Sequence, residues 1–187
     1  KLLEDKKKCE KTLKKFGVKN NYILTVGTLE PRKNIKGLVE AFSILCSNKD
    51  FKASLVIVGG KGWYYEELFE KIDYLKLQDR VIFTGYASEE EILHFYNMAD
   101  LFVYPSFYEG FGLPLLEAMV CGCPVLASNV SSIPEVVGDA GHLVDPYNIN
   151  DIADGILKVL SNEELKGRMI SLGLERSKLF SWEKCVN

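Results

Sequence analysis

Long hydrophobic runs, clustered cysteines and histidines are all scarce in this chain of 187 residues. The longest stretch without a formal charge, residues 118–134, contains glycine, proline, serine and asparagine, so it cannot supply the roughly 20 apolar residues that span a bilayer. The first 15 residues contain no apolar segment followed by a small-residue cleavage site, so we expect no secretory signal. A cytoplasmic location, with the cytoplasmic membrane face as a possible site, is therefore expected.

Cysteine is too sparse for a disulfide framework. The chain has five, an odd number, and its length is enough to bury a real core without covalent staples. Reduced thiols are expected. Neither histidine stands at a zinc-binding spacing from Cys121 and Cys123, so no metal site is predicted.

Positive charge is missing from the middle of the chain. Residues 81–157 contain no Lys or Arg but eleven Asp and Glu, whereas residues 1–20 hold eight Lys against three acids. We expect residues 1–20 to be a solvated helix face or an interdomain linker, with contact to an anionic membrane surface as the alternative. No second basic patch with interleaved aromatics follows, so no nucleic-acid partner is expected.

Short β-branched runs alternate with helical periods, which predicts a doubly wound α/β domain with a parallel six-stranded, Rossmann-like sheet. One domain, residues 1–187, is expected. Ligands of such sheets bind at the carboxyl ends of the strands, so the residues after each strand are the ones that can carry function. The predicted strands are residues 22–27, 53–59, 81–85, 101–106, 124–128 and 142–145.

The segment after the first predicted strand combines a flexible Gly27 with two adjacent cations, Arg32 and Lys33, and a helix that starts near Asn34. A helix N-terminus and cations together suit phosphate oxygens, although two surface cations beside a turn are an equally good interpretation of this segment alone. After the second strand, Gly60 lies in a glycine run that fits neither the dinucleotide nor the P-loop template. A tight turn is the favoured interpretation there.

The segment PSFYEGFGLPLLEAM, after the fourth strand, is the most informative. Helical side chains lean toward the N-terminus, so Glu117 is expected to face the same edge as Glu109. Carboxylates can accept hydrogen bonds from sugar hydroxyls, and the amides of residues 111–113 can bind an anion. For Glu117 alone, a favourable charge near a helix start is the alternative. We expect one pocket that joins these glutamates to the cations.

The motifs GTLEPRKN, LVIVGGKG, VIFTGY and PSFYEGFGLPLLEAMVCGCPVLAS resemble the C-terminal, donor-binding half of GT-B-fold, retaining family 4 glycosyltransferases, over about residues 20–185. The resemblance implies metal-independent transfer of a hexose from a nucleotide-diphospho-sugar, with GDP-mannose as the first choice and UDP-sugars next. It implies that Arg32, Lys33 and Glu109 are catalytic. The residues it implies for binding the donor are Glu117, Gly110, Phe111, Gly112, Leu113, Gly27, Thr28, Gly60 and Tyr86.

Thr28 departs from the family pattern, in which many members have Arg at that position, so Arg32 is expected to substitute for it. The family's N-terminal domain, which would bind a saccharide or lipid-linked acceptor, is absent from this sequence, and the chain alone is expected to bind nucleotide without turnover. A non-catalytic nucleotide-sugar-binding scaffold and a sugar-nucleotide epimerase are the alternatives. No cofactor is expected.

Overall fold

Six parallel strands form one sheet in the computed structural model, which describes residues 3, 5–19, 21–60, 62 and 66–180. All six predicted strands are confirmed, most of them a residue or two shorter than expected. The strands are β1 (Tyr22–Val26), β2 (Ser54–Val58), β3 (Val81–Gly85), β4 (Leu101–Tyr104), β5 (Val125–Ser128) and β6 (Gly141–Val144).

Helices connect consecutive strands and cover both faces of the sheet. Two 3-10 turns, Pro31–Lys33 and Gly138–Ala140, were not predicted. The helical pattern of residues 63–76 predicts a helix, but residues 63–65 are outside the described residues. A further helix, which the sequence predicts from residue 181, is outside them as well. The helices are α1 (Lys6–Lys15), α2 (Ile35–Cys46), α3 (Glu66–Tyr74), α4 (Glu89–Met98), α5 (Leu113–Val120), α6 (Ile133–Val137), α7 (Ile149–Leu160) and α8 (Glu163–Ser177).

Alternating strand residues feed two hydrophobic cores, one on each face of the sheet. In β4, Leu101 and Val103 pack with α2 and α7, whereas Phe102 packs with α4 and α5 on the opposite face. This follows from the period of two along a strand. Because both faces are covered, nearly every residue of the four central strands β2, β1, β4 and β5 is buried, as expected for a parallel sheet, whereas most residues of the edge strands β3 and β6 are only partly buried.

The strand order is β3-β2-β1-β4-β5-β6, so the chain reverses its direction of winding between β1 and β4. The loops after these two neighbouring strands therefore diverge to opposite faces and leave a crevice at their carboxyl ends. This is where ligands bind in doubly wound sheets. The segments after β1 and β4, which sequence analysis singled out, meet at this crevice.

The N-terminal helix α1 packs against α4. Cys9 and Leu13 are buried, Thr12 Oγ1 lies 2.7 Å from His94 Nδ1, and Lys15 forms a 2.5 Å ion pair with Glu91. The helix predicted within residues 1–20 is thus confirmed, and its role as an interdomain linker stays a prediction. In the described part of the chain, no helix is long and apolar enough to cross a membrane.

Two predicted helix starts have different outcomes. The spacing of Ser88 and Glu91 in the sequence predicts a capping box, and it is confirmed by both reciprocal hydrogen bonds. Asn34 stands at the N-cap position of α2, but its side chain does not cap the helix. It is buried and donates instead to the carbonyl of Pro146, 2.8 Å away. It therefore joins the loops after β1 and β6, a long-range contact that local spacing cannot predict.

Gly59 and Gly60 provide a matched test of the strand tips. A Cβ at Gly59 would lie 2.0 Å from the carbonyl oxygen of Gly27, whereas nothing lies within 4 Å of a Cβ at Gly60. We expect Gly59→Ala to lower the free energy of unfolding by about 1 to 3 kcal/mol, the usual cost of overpacking. Gly60→Ala should change it by no more than about 0.5 kcal/mol. Urea denaturation measures both, and equal effects would contradict the close approach.

Candidate functional site

The segment after β1 turns sharply over the sheet edge. Gly27 leaves space for the Lys33 side chain, because a Cβ there would already contact Lys33 Cε at 3.4 Å. Arg32 and Lys33 lie on the 3-10 turn, and the N–H of Phe107 donates to the Arg32 carbonyl over 2.9 Å. This bond ties the loop after β1 to the loop after β4.

Both predicted catalytic cations bind the predicted catalytic carboxylate. Lys33 Nζ lies 2.8 Å from Glu109 Oε1, and Arg32 Nη1 lies 2.9 Å from Glu109 Oε2. Arg32 Nη2 also pairs with Glu30 over 2.6 Å. The side chains of Lys33 and Glu109 are only 12% and 8% exposed, so water screens their interaction weakly. With Glu30 included, the formal charges of this cluster cancel.

The backbone around Glu109 is fixed by side chains from the loop after β5. The hydroxyls of Ser131 and Ser132 donate to the Glu109 carbonyl over 2.6 and 2.9 Å, and the Glu109 N–H donates to Ser131 Oγ over 3.2 Å. Arg32 also donates to the carbonyl of Tyr108. The carboxylate is therefore positioned from three loops, those after β1, β4 and β5.

The pKa of Glu109 is below its ordinary value of 4.5. Burial acts to raise it, but the hydrogen bond from Lys33, its charge and the Tyr104 hydroxyl together outweigh burial. Glu109 is therefore an anion at neutral pH.

Tyr104, the last residue of β4, is a site residue that sequence analysis missed. Its hydroxyl accepts a 2.6 Å hydrogen bond from Lys33, whose ammonium also lies 4.8 Å from the centre of the ring. Burial, and then the nearby Glu109 charge, raise the pKa of Tyr104, so the phenol stays protonated. Tyr104 thus holds Lys33 in place without adding charge.

Glu117 is exposed on α5, and a second missed residue orients it. The hydroxyl of Tyr96, on α4, donates to Glu117 Oε2 over 3.1 Å, and the Tyr96 side chain is almost fully buried. Burial and the Glu117 charge raise the pKa of Tyr96 well above its ordinary value. Glu117 is thus preoriented for hydrogen bonding. The described contacts do not join it to Arg32, Lys33 or Glu109.

One phenylalanine ring lies between the two tyrosines. Phe102 contacts Tyr96 edge-on, with ring centroids 5.3 Å apart, and stacks on Tyr104, with centroids 5.8 Å apart. We call these three residues the aromatic ladder. Its two hydroxyl ends contact Glu117 and Lys33, so a rigid, buried element sets the spacing between the two halves of the candidate site.

The N-terminus of α5 offers free backbone donors. Gly112 adopts φ 93°, a left-handed conformation that favours glycine, and no described group accepts a hydrogen bond from the N–H of Phe111, Gly112 or Leu113. The ring of Phe111 packs edge-on against Phe180, with centroids 5.7 Å apart. Gly110 is exposed and open. These amides fit the predicted anion-binding role.

The remaining predicted residues lie on the same rim but outside these contacts. Thr28, Gly60 and Tyr86 are all exposed, Tyr86 at 85%, and no described contact joins them to Glu109 or Glu117. Lys61, a further cation next to Gly60 in the sequence, is outside the described residues. Their roles in donor binding stay predictions.

One hollow at the rim lies beside the charged cluster without including it. A hollow of about 440 Å³ opens at the rim, and its described lining includes Pro31 and Phe107 but none of Arg32, Lys33, Glu109 and Glu117. This hollow is therefore not the expected shared pocket, and one pocket that joins these four side chains stays a prediction. Lys33 and Arg32 reach Glu109 across the crevice and so draw the loops after β1 and β4 together.

Sequence signals for the missed residues were weak. Tyr104 ends a buried strand, and Tyr96 follows the apolar period of α4, so both are typical of core aromatics. Ser131 and Ser132 stand after the fifth predicted strand, at the edge where functional residues were expected. That position was their only signal, because Ser is common in turns.

The chain matches the family described as glycosyl transferases group 1 over residues 6–176. It is 41% identical over 179 residues to O-antigen chain mannosyltransferase B of Escherichia coli, covering 95% of this chain and 47% of that protein. Sucrose-phosphate synthase from Thermosynechococcus elongatus has the same fold, with a TM-score of 0.82, 30% identity and coverage of 94% of this chain and 45% of that chain.

A third relative is Anabaena HepE, solved in complex with UDP and glucose. It matches with a TM-score of 0.82 and 25% identity over 92% of this chain and 48% of that chain. The chain therefore spans less than half of the length of each of these three proteins.

The doubly wound parallel sheet and its match to these solved structures define a Rossmann-like domain of the GT-B type. This chain belongs to the group 1 glycosyl transferases, with a mannosyltransferase among its relatives. The resemblance stated from the sequence motifs is thereby confirmed.

The lowered pKa of Glu109 predicts a pH dependence of stability. Because the folded state holds this carboxylate ionised below 4.5, the unfolded state takes up the proton first as the pH falls. The stabilisation is complete above the unfolded-state pKa and is lost as the pH falls through the lower folded-state value. Urea unfolding across the acid range should show a shallower pH dependence for Glu109→Gln than for the wild type.

Glu164→Gln, at an exposed position on α8, is the matched control and should keep the wild-type pH dependence. An unchanged acid slope in Glu109→Gln would contradict the lowered folded-state pKa, because the ion pairs would then only offset the cost of burying the carboxylate.

Proposed function

We propose that this chain is the donor-binding part of a hexosyltransferase that uses a nucleotide-diphospho-sugar. The observation that carries the proposal is the cluster of Arg32, Lys33 and Glu109 at the switch point. Two cations, a carboxylate and the free amides that open α5 supply what a sugar diphosphate requires. The named relatives support transfer of a sugar, and HepE supports a nucleotide ligand.

The chemical requirement is to stabilise charge on the leaving nucleoside diphosphate. When the bond between the anomeric carbon and the phosphate oxygen breaks, negative charge grows on that oxygen. Cations and helix N-terminal amides that are already in place lower the energy of this transition state, because they need no rearrangement when the charge develops. Tyr104 preorganises Lys33, and the bond from Phe107 to the Arg32 carbonyl fixes the turn.

Glu109 now neutralises the same cations that the diphosphate would bind. We propose an exchange, in which the diphosphate takes over contacts to Arg32 and Lys33 and Glu109 turns to accept hydrogen bonds from the donor sugar. An ionised carboxylate has about four lone-pair sites, so Glu109 can accept hydrogen bonds from sugar hydroxyls once the diphosphate has taken over its cations. On this view Glu109 holds the cations in position until the donor arrives.

For the nucleotide, we propose that Glu117 accepts hydrogen bonds from the ribose hydroxyls and that Tyr86 lies close to the base. GDP-mannose is the preferred donor, supported by the mannosyltransferase relative, and UDP-sugars are second, supported by the UDP complex of HepE. Retention of anomeric configuration, independence from metal ions and a cytoplasmic location complete the proposal. A saccharide or lipid-linked acceptor would be bound chiefly outside this chain.

The test is a calorimetric and thermal-shift panel of GDP, UDP and ADP with the chain. One of the three should bind and raise the melting temperature, since a ligand that binds only the folded state stabilises it. Glu117→Ala should weaken that binding by about 1.5 to 3 kcal/mol, the range for hydrogen bonds to charged groups. If none of the three binds, the proposed function is wrong.

Tyr96→Phe tests whether Glu117 is oriented by the Tyr96 hydroxyl. Loss of this hydroxyl should weaken binding of the preferred nucleotide but leave binding of its 2′,3′-dideoxy analogue unchanged, because the analogue lacks the groups that Glu117 would bind. Calorimetry with both ligands gives the difference directly. Tyr22→Phe, which removes another buried hydroxyl that donates to the Phe95 carbonyl, is the control and should affect both ligands equally little.

Glu109→Gln tests the exchange. Removing the carboxylate charge frees Arg32 and Lys33, so affinity for the preferred nucleoside diphosphate should rise by about three- to tenfold, in line with the loss of a competing charge-assisted contact. Calorimetry at constant ionic strength measures the change. An unchanged or lower affinity would contradict the exchange, in which Glu109 competes with the diphosphate for these cations.

A further inference from the structure

The hollow of about 440 Å³ beside the 3-10 turn is separate from the contacts described for the donor. Pro31 and Phe107 line it, and their chain neighbours Lys33 and Glu109, two residues further on in each case, form the charged cluster. The hollow is thus next to the place of proposed transfer. Its volume lies within the range of about 300 to 1,000 Å³ that is typical of small-ligand sites.

An aromatic platform forms part of its wall. The rings of Phe107 and Tyr147 stack with centroids 4.8 Å apart and planes 20° apart. Tyr147 is nevertheless 71% exposed. Its own backbone is fixed, since the Tyr147 N–H donates to Asp145 over 2.9 Å. A flat ring that is held from behind and open in front suits a ligand with a flat apolar face.

The acidic side chains of the described wall, Glu30, Glu40 and Glu67, are all paired with cations, Glu30 with Arg32. Glu67 pairs with Lys36 over 3.0 Å, and Glu40 pairs with Lys71 over 2.8 Å. Because each carboxylate already has a cation, the wall offers no unbalanced positive charge to an anion. Its oxygens still have lone pairs for hydroxyl donors. A purely apolar ligand would remove these charged groups from water without replacing their hydrogen bonds.

We propose that this hollow binds a neutral saccharide, with the apolar face of one pyranose ring on Tyr147 and hydroxyls donating to Glu67 and Glu40. Its role as a subsite for the acceptor or product glycan rests on the proposed function, because it adjoins the donor cluster. Binding of the saccharide to the hollow does not depend on the proposed function. The donor half would then contribute directly to acceptor recognition.

The test is an NMR titration of the chain with α-linked mannotriose, without nucleotide. Saturable shifts of the Tyr147 amide at concentrations up to about 10 mM are expected, in the range of weak but specific binding. Tyr147→Ala should weaken binding at least fivefold, and Glu67→Gln should weaken it by a smaller factor. Tyr74→Ala removes a comparably exposed ring on α3, outside the described lining, and should leave the affinity unchanged.

Absence of saturable shifts would overturn the subsite, and so would equal losses in Tyr147→Ala and Tyr74→Ala. Nucleotide binding by the same samples separates this result from the proposed function, since Tyr147→Ala should leave nucleoside diphosphate affinity unchanged. A chain that binds nucleotide but no mannotriose overturns the subsite alone. A chain that binds mannotriose but no nucleotide supports the saccharide site and overturns the donor assignment.

Discussion

The ion pairs of Glu109 with Lys33 and Arg32 are the constraint on which the rest of the site depends. They join the loops after β1 and β4, which the sheet topology separates to opposite faces. Two partly buried cations this close together would repel each other without an anion between them. The Glu109 carboxylate therefore allows the unliganded chain to keep both cations at the sheet edge. A diphosphate that binds there would replace this carboxylate as the partner of the two cations.

The aromatic ladder extends this arrangement into the core. Tyr104 and Tyr96 contact the two polar ends of the site through their hydroxyls, while their rings pack on Phe102 inside the sheet. Packing that stabilises the fold thus also fixes the distance between Lys33 and Glu117. Rigid placement of this kind reduces the reorganisation that binding requires.

Sequence patterns predicted the six strands and the capping box at Ser88, because strand periodicity and capping are local properties of the sequence. They also predicted the meeting of Arg32, Lys33 and Glu109, because the carboxyl ends of parallel strands share one edge of the sheet. They did not predict the hydroxyl of Tyr96 on Glu117, since an aromatic residue on an apolar helix face is typical of a core. The role of Asn34 also depended on a contact across more than a hundred residues. In each case the sequence did not predict a tertiary contact, because no regular spacing in the sequence relates the two residues that form it.

The aromatic ladder also limits how this domain can diversify. A substitution at Phe102 touches no ligand, yet it would shift both tyrosines and so alter affinity together with stability. Exposed rim residues such as Tyr86 and Tyr147 are not part of the core, so substitutions there should change ligand affinity with little effect on stability. Evolution and protein engineering can therefore change the sugar or base preference by substituting rim residues, while the three residues of the aromatic ladder stay the same.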